Sequence, residues 1–325
     1  MGVKVIGTGA ALGETVVSSP HLEDKLGLAE GFIESKTGIR ERRVASSAQS
    51  PSVLCGEAAR KALARAGMDP SDLDLVICCT FIGEYVFPSF AHKIMGDLGA
   101  INAFGYDLSA NCNGLQVALR QADCEIRSSP RVRNVLIVGN GRQSEYINWD
   151  DSSTCIYFGD GCSAVLLSRC EDSNSGFLAH ETISDCRAYE SVRYIGNLGA
   201  SRREVASTKN DYYELVGLDV WKQAVRMQPS VVRRCLASAN QTISEVDFFI
   251  WHQANKNLIE FMMHRLDIPL EKTIINVDRL GNTADASMGI VLDQAIDEDR
   301  ISRGDLVLVS GVGAGFIAGA SLMRY

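Results

Sequence analysis

AARKALARAGMDPSDLDLVICCT (58–80) aligns without a gap on VVRRCLASANQTISEVDFFIWHQ (231–253). Arg60, Leu63, Ala64, Ala66, Ser71, Asp74 and Ile77 meet the same residue types at Arg233, Leu236, Ala237, Ala239, Ser244, Asp247 and Ile250. In both copies an amphipathic helical stretch passes through a polar turn into a short apolar run, so one helix–loop–strand unit occurs twice. Two more pairs lie at nearly the same offset. Asp107 and Asn111 of DLSANCNGL match Asp278 and Asn282 of DRLGNTADA, and 135–139 matches 306–310. Nearly one offset kept over three segments argues against two unrelated amphipathic units.

Outward from the repeat, short apolar runs alternate with helical patterns: VKVIG (3–7), LDLVICCT (73–80), NVLIVGN (134–140), FFIWH (248–252) and DLVLVSG (305–311). Continuously apolar strands between helices predict an α/β protein with buried sheets. CIYF, GDG and CSAVLLS (155–168) predict a hairpin turning at Asp160-Gly161, which makes the sheets mixed. The chain divides into half one, 1–170, and half two, 171–325.

The 325 residues are 46% hydrophobic and 22% charged, an ordinary globular balance that excludes disorder. A soluble chain of this length buries roughly 75% of its unfolded surface, so disulfide staples are not needed. The net charge of −8 and pI near 5.2 argue against nucleic acid or a polybasic membrane surface as partner. Ten scattered cysteines without a CxxC pair exclude a zinc ribbon and predict no metal. With no basic region and long apolar run at the N-terminus, the expectation is a reduced, cytoplasmic protein whose cysteines are mostly small core residues.

If the halves pack about a pseudo-twofold axis, their equivalent loops meet. Cys112 and Asn282 occupy matching positions within one residue, and His252 ends a strand, where α/β sites are built. Cys112 precedes a helix marked by Leu115, Ala118, Leu119 and Ala122, whose N-terminus favours a thiolate. Alone, Cys112 reads first as a packed core thiol and His252 as a hydrogen-bonded core histidine, while Asn282 reads as a cap or as a site residue. Together they suggest nucleophilic catalysis. In GVGAGFIAG (311–319), small residues at Gly313 and Ala314 would let backbone N–H groups approach an oxyanion; a tight strand connection is the alternative. GTGAALG (7–13) superficially matches a dinucleotide loop, but no amphipathic helix follows it.

These residues resemble the β-ketoacyl-acyl-carrier-protein synthase III family of the thiolase superfamily. The shared landmarks are TGIRERR (37–43), FPS (87–89), DLSANCNGL (107–115), FGDG (158–161), HQAN (252–255), GNTADAS (281–287) and GVGAGF (311–316). The resemblance implies a five-layered αβαβα fold, a homodimer, a Cys112–His252–Asn282 triad, and Phe87 reaching into the partner's acyl pocket. It implies an acyl group passing from coenzyme A or acyl carrier protein to Cys112, then decarboxylative condensation with a malonyl thioester. No resident cofactor is implied.

Several positions depart from the family pattern. Phe32, Ser152 and Lys36 align where a tryptophan and two arginines usually grip coenzyme A, and Leu218 replaces a pantetheine-channel asparagine. Phe81 replaces a small acyl-pocket residue. Asp285 adds a carboxylate behind Asn282, and an ordinary acid in a helix first turn is its plain explanation. Lys222, Lys256 and Arg265, with Asn255, remain to meet an acidic carrier protein at the entrance. The alternatives are acyl transfer to an oxygen or nitrogen nucleophile, or an inactive subunit of a heterodimer. SRREVASTKNDYYE (201–214) reads as a cover over the entrance or as a fixed surface loop.

Overall fold

The computed structural model describes residues 2–172, 175–194, 196 and 212–325. Most of the segment proposed as a cover, residues 201–211, lies outside the described residues. Nine strands form the main sheet: β1 (Gly2–Leu12), β2 (Leu75–Cys79), β3 (Phe104–Leu108), β4 (Asn134–Gly141), β5 (Gly161–Cys170), β6 (Gly176–Ser184), β7 (Phe248–Trp251), β8 (Leu306–Gly313) and β9 (Ile317–Arg324). Their order is β7-β8-β9-β6-β1-β5-β4-β2-β3, a mixture of parallel and antiparallel pairs. Half one contributes β1 to β5 and half two contributes β6 to β9. The two sheets join at a single residue pair, Val3 with Gly176.

Six helices complete the layers: α1 (Pro51–Ala66), α2 (Phe90–Leu98), α3 (Gly114–Ser128), α4 (Gly217–Ser238), α5 (Lys256–Arg265) and α6 (Ser287–Asp297). The buried faces of α3 and α6, such as Leu119 and Val291, share one core with residues of both sheets, including Ile77 and Val309. Residues of α1 and α2 cover the outer face of the first sheet, and those of α4 and α5 the outer face of the second. This is the five-layered αβαβα arrangement.

Local chemistry sets the boundaries. Helix α1 starts where the Ser50 side chain accepts the Val53 N–H beside Pro51, and stops at Gly67, whose φ of 60° suits a residue without Cβ. The GTGAALG stretch belongs to β1. A Cβ at Gly7 or Gly9 would collide with the carbonyl oxygen of Ala62 or Ala58, so these glycines admit α1 and form no phosphate loop.

The predicted 155–168 hairpin does not form. Strand β5 begins at Gly161 and pairs with β1 and β4, while 151–157 is a run of turns. Asp160 is recruited elsewhere. Its carboxylate accepts the backbone N–H groups of Gln143 (2.7 Å), Ser144 (2.9 Å) and Ala45 (2.8 Å), binding two loops to its own. Its own N–H donates to the Arg43 carbonyl.

Candidate active site

Cys112 lies on a short 3₁₀ turn, Asn111–Asn113, with Asn111 at a φ of 49°, and α3 follows at Gly114. The second half repeats the device. Ala284–Ala286 form a 3₁₀ turn with Ala284 at a φ of 42°, and α6 follows at Ser287. One shift relates 58 to 231, 111 to 284 and 114 to 287. The structural counterpart of Cys112 is therefore Asp285; Asn282 stands three residues earlier, on the approach to the second turn.

The nucleophile turn is clamped from below. Asn113 Nδ2 donates to Gln116 Oε1 (3.1 Å), and Gln116 Nε2 donates to Ser321 Oγ (3.1 Å) and the Ala320 carbonyl (3.3 Å). Gly319 leaves the space for this pair, since a Cβ there would collide with the Gln116 amide. Above, Gly313 presses on the turn, its missing Cβ facing the Cys112 and Asn113 nitrogens at 3.2 and 3.0 Å.

His252 follows β7, its N–H donating to the Ser310 carbonyl (3.0 Å). Ser287 Oγ accepts the Gln253 N–H (3.3 Å) and lies 2.6 Å from His252 Nδ1. While accepting there, the serine hydroxyl has its proton available to donate to Nδ1, and in that arrangement the ring proton is on Nε2. Burial lowers the histidine to about 3, so the ring is neutral at ordinary pH. Asn282 Oδ1 accepts the Ala284 N–H (2.8 Å), and its amide Nδ2 has no partner among the described residues. Its backbone is fixed by the 157–159 segment, through Asn282 N to the Tyr157 carbonyl (2.8 Å) and Gly159 N to the Asn282 carbonyl (3.1 Å).

Cys112, His252, Asn282, Gly313 and Ala314 line one small, mainly apolar cavity of about 80 Å³. Outside it is a 590 Å³ pocket that shares Phe158, Leu215, Val220, Ala254, Leu258 and Asn282 with the inner one. Phe32, Lys36, Ser152, Leu218 and Asn255 all line this outer pocket. Lys36 Nζ stands 5.3 Å from the centre of the Phe32 ring. Asn255 caps α5, its Oδ1 accepting the Leu258 N–H. The Lys256 stem packs on Gly38, while Lys222 and Arg265 are exposed outside the pocket lining.

The structure corrects the expected thiolate. Burial pushes the Cys112 thiol up to about 12, with the nearby Asp285 adding to the rise, so the helix N-terminus does not ionise it. Phe81 does not line the cavity with Cys112. It joins Tyr146, Tyr194 and Tyr213 in a cluster whose six centroid separations all fall between 5.0 and 6.0 Å. Phe87 is 85% exposed, away from the cavity of its own chain.

Ser287, Gln116, Trp221 and the tyrosine cluster escaped the sequence reading. A glutamine beside Leu115 on a core-facing helix turn was the one local signal for Gln116. Trp221 packs against Phe261 at the outer pocket and could be found only once α4 was placed.

A cysteine, a neutral histidine donor and a free amide converging on a narrow cavity define an acyltransferase that carries its acyl group on sulfur. A family profile described as 3-oxoacyl-[acyl-carrier-protein] synthase III matches residues 106–186, and its C-terminal companion matches 236–325. A beta-ketoacyl-[acyl-carrier-protein] synthase III of Aquifex aeolicus is 37% identical over 325 residues, covering all of both chains. The crystal structure of 3-oxoacyl-[acyl-carrier-protein] synthase III from Aquifex aeolicus matches the whole of both chains with a TM-score of 0.92 and 36% identity. The priming β-ketosynthase from the R1128 polyketide biosynthetic pathway matches at 0.90 and 28%, over 99% of this chain and 96% of that one. The chain belongs to the 3-oxoacyl-[acyl-carrier-protein] synthase III family and is a condensing acyltransferase.

Proposed function

We propose that Cys112 takes an acyl group from a coenzyme A or carrier-protein thioester and passes it to the carbanion of a malonyl thioester on acyl carrier protein. The observation that carries this reading is the single cavity shared by Cys112, His252 and Asn282, reached through the larger pocket. In acylation the Cys112 sulfur bonds to the thioester carbonyl, the donor C–S bond breaks, and the thiol proton leaves on the departing pantetheine sulfur. Transfer of that proton as the bond forms suits a thiol that burial keeps protonated. The Cys112 N–H and one from Gly313 or Ala314 hold the oxyanion.

The malonyl group then loses carbon dioxide, and His252 Nε2–H and Asn282 Nδ2–H donate to the carbonyl oxygen on which enolate charge grows. The carbanion attacks the acyl carbon, the C–S bond to Cys112 breaks, and the released sulfur takes its proton from solvent, so the condensation half-reaction consumes one proton. A neutral histidine is the right species, because the step needs a donor and no proton need be lost to bulk water.

The inner cavity of about 80 Å³ suits a short acyl group, and the ring cluster adjoins it through Tyr213, which packs on Phe158 of its lining. An alkyl chain between two ring faces needs about 7–8 Å between them, given carbon contacts of about 3.5–4.0 Å. The four rings are too close together for that, and the Tyr213 hydroxyl is tied to Gln143 Oε1 at 2.6 Å. A second copy of the chain completes the site. Tyr85, Val86, Phe87, Ile101 and Phe104 are exposed near the sheet's open edge strand β3, an apolar face suited to a homodimer in which Phe87 enters the partner's site. Among the described residues no helix is long and apolar enough to cross a membrane, and the cytoplasm is the proposed location.

Intact-protein mass spectrometry tests the reading. Acyl-CoA or acyl carrier protein should add the acyl mass at Cys112, and a malonyl-carrier-protein chase should remove it as a β-ketoacyl product. An adduct that survives the chase overturns condensation and favours transfer to a hydroxyl or amine.

A further inference from the structure

Asp285 is not the ordinary first-turn acid that its position suggested. It is 1% exposed, and its carboxyl makes no hydrogen bond or ion pair among the described residues; Oδ1 is buried without a partner. The side chain points across the pseudo-twofold axis at the start of α3. A Cβ on Gly114 would collide with Asp285 Oδ1 and stand 3.0 Å from the Cys79 Cβ. The second turn packs on the nucleophile turn, α3, β4 and β5. Titratable groups in this surround are Cys112 on the nucleophile turn, Cys79 at the end of β2 and the Tyr213 phenol; β4 and β5 offer Gly139 and Ser163. Among the described residues no cation offsets the carboxyl charge there.

We propose that Asp285 is a positioning residue that restrains Cys112: the two duplicated turns bring two acids together in a largely apolar site that accommodates one negative charge, and Asp285 keeps that charge from resting on sulfur. The proposal rests on Cys112 being the nucleophile. Two acids sharing a buried site titrate as a pair, and the charge taken first makes the second harder to add. Burial raises both groups, holding the Asp285 carboxyl well above the usual carboxylate range; the carboxyl starts from an ordinary value about 4–5 units below that of a thiol, so it is the first of the two to take the charge. Once ionised it opposes the thiolate. The resting cysteine is thereby protected from adventitious electrophiles, and reaction waits for a thioester whose leaving sulfur takes the thiol proton.

The test is the pH dependence of Cys112 alkylation by iodoacetamide, between pH 6 and 10, in wild type, Asp285→Asn and Asp285→Ala. Peptide mass spectrometry separates Cys112 from the exposed Cys124 and Cys186. Removing a neighbouring charge shifts a pKa by about 1–3 units. Both variants should therefore alkylate at Cys112 on the order of ten-fold faster than wild type at pH 8, with the profile moved to lower pH. A looser fold would raise alkylation of the buried Cys235, which Asp285 does not influence, as well; Cys235 unchanged beside a faster Cys112 supports the charge effect. Superimposed Cys112 profiles, or equal acceleration at Cys235, overturn the proposal while leaving acylation intact. No alkylation of Cys112 in any form overturns the nucleophile reading with it.

Discussion

Ser287 Oγ lies 2.6 Å from His252 Nδ1, a bond from the first turn of α6 to the rim of β7 that holds the imidazole in place. Ser287→Ala removes it and leaves Nδ1 buried without its donor. An unpaired buried group costs about 1–3 kcal/mol, so malonyl decarboxylation should fall on the order of ten-fold or more. Acyl loading of Cys112 should stay near wild type. Equal losses in carbon dioxide release and acyl loading would show that the serine only supports the fold.

His252→Ala and Asn282→Ala separate the two half-reactions more sharply. Each removes a donor to the enolate oxygen, worth about 10²–10³ in rate. Carbon dioxide release from a malonyl thioester should drop by that factor, while mass spectrometry still finds acylated Cys112.

The neutral histidine sets a pH expectation. Its folded value, about 3, lies below the ordinary 6.5, so the unfolded chain binds a proton that the folded chain refuses. The stability linked to His252 is present above 6.5 and is lost as pH falls toward 3. Urea unfolding at pH 7.5 and 5 should show a larger loss for wild type than for His252→Asn. Decarboxylation, by contrast, should show no limb near 6.5.

Much of this was legible in the sequence, for physical reasons. Burial on both faces makes strands such as LVICC and FFIW read as apolar runs, and a gapless duplication gives them a common register. The 155–168 hairpin failed because Asp160 spends its acceptors on distant N–H groups that local spacing cannot reveal. Cys112 was paired with Asn282 on residue identity, whereas the left-handed backbone at Asn111 and Ala284 shows Asp285 to be its counterpart. The helix N-terminus suggested a thiolate because desolvation by the opposite half is invisible in one segment. Ser287 sits within GNTADAS, but nothing local points it at a histidine 35 residues away.

The ring cluster predicts chain length. Wild type should load acetyl or propionyl and refuse octanoyl; Phe81→Ala, which opens one wall of the cluster, should admit longer chains. Competitive loading from mixed acyl-CoAs, read by mass, checks this. Octanoyl loading equal to acetyl in wild type would refute the closed pocket.

Gly9 supports the fold from a distance. Gly9→Ala would drive β1 away from the Ala58 carbonyl, and such overpacking costs about 1–3 kcal/mol. Urea midpoints measure it, with acyl loading per folded molecule unchanged.

The single bridge between Val3 and Gly176 has an evolutionary side. Strand pairing fixes register residue by residue, but these halves share almost none; packing of α3 and α6 between the sheets unites them instead. Side-chain packing tolerates gradual substitution where a ladder would demand a whole-residue slip. A descendant of this chain could therefore reshape the gap between the halves by small steps, acquiring new acceptors without unmaking either half.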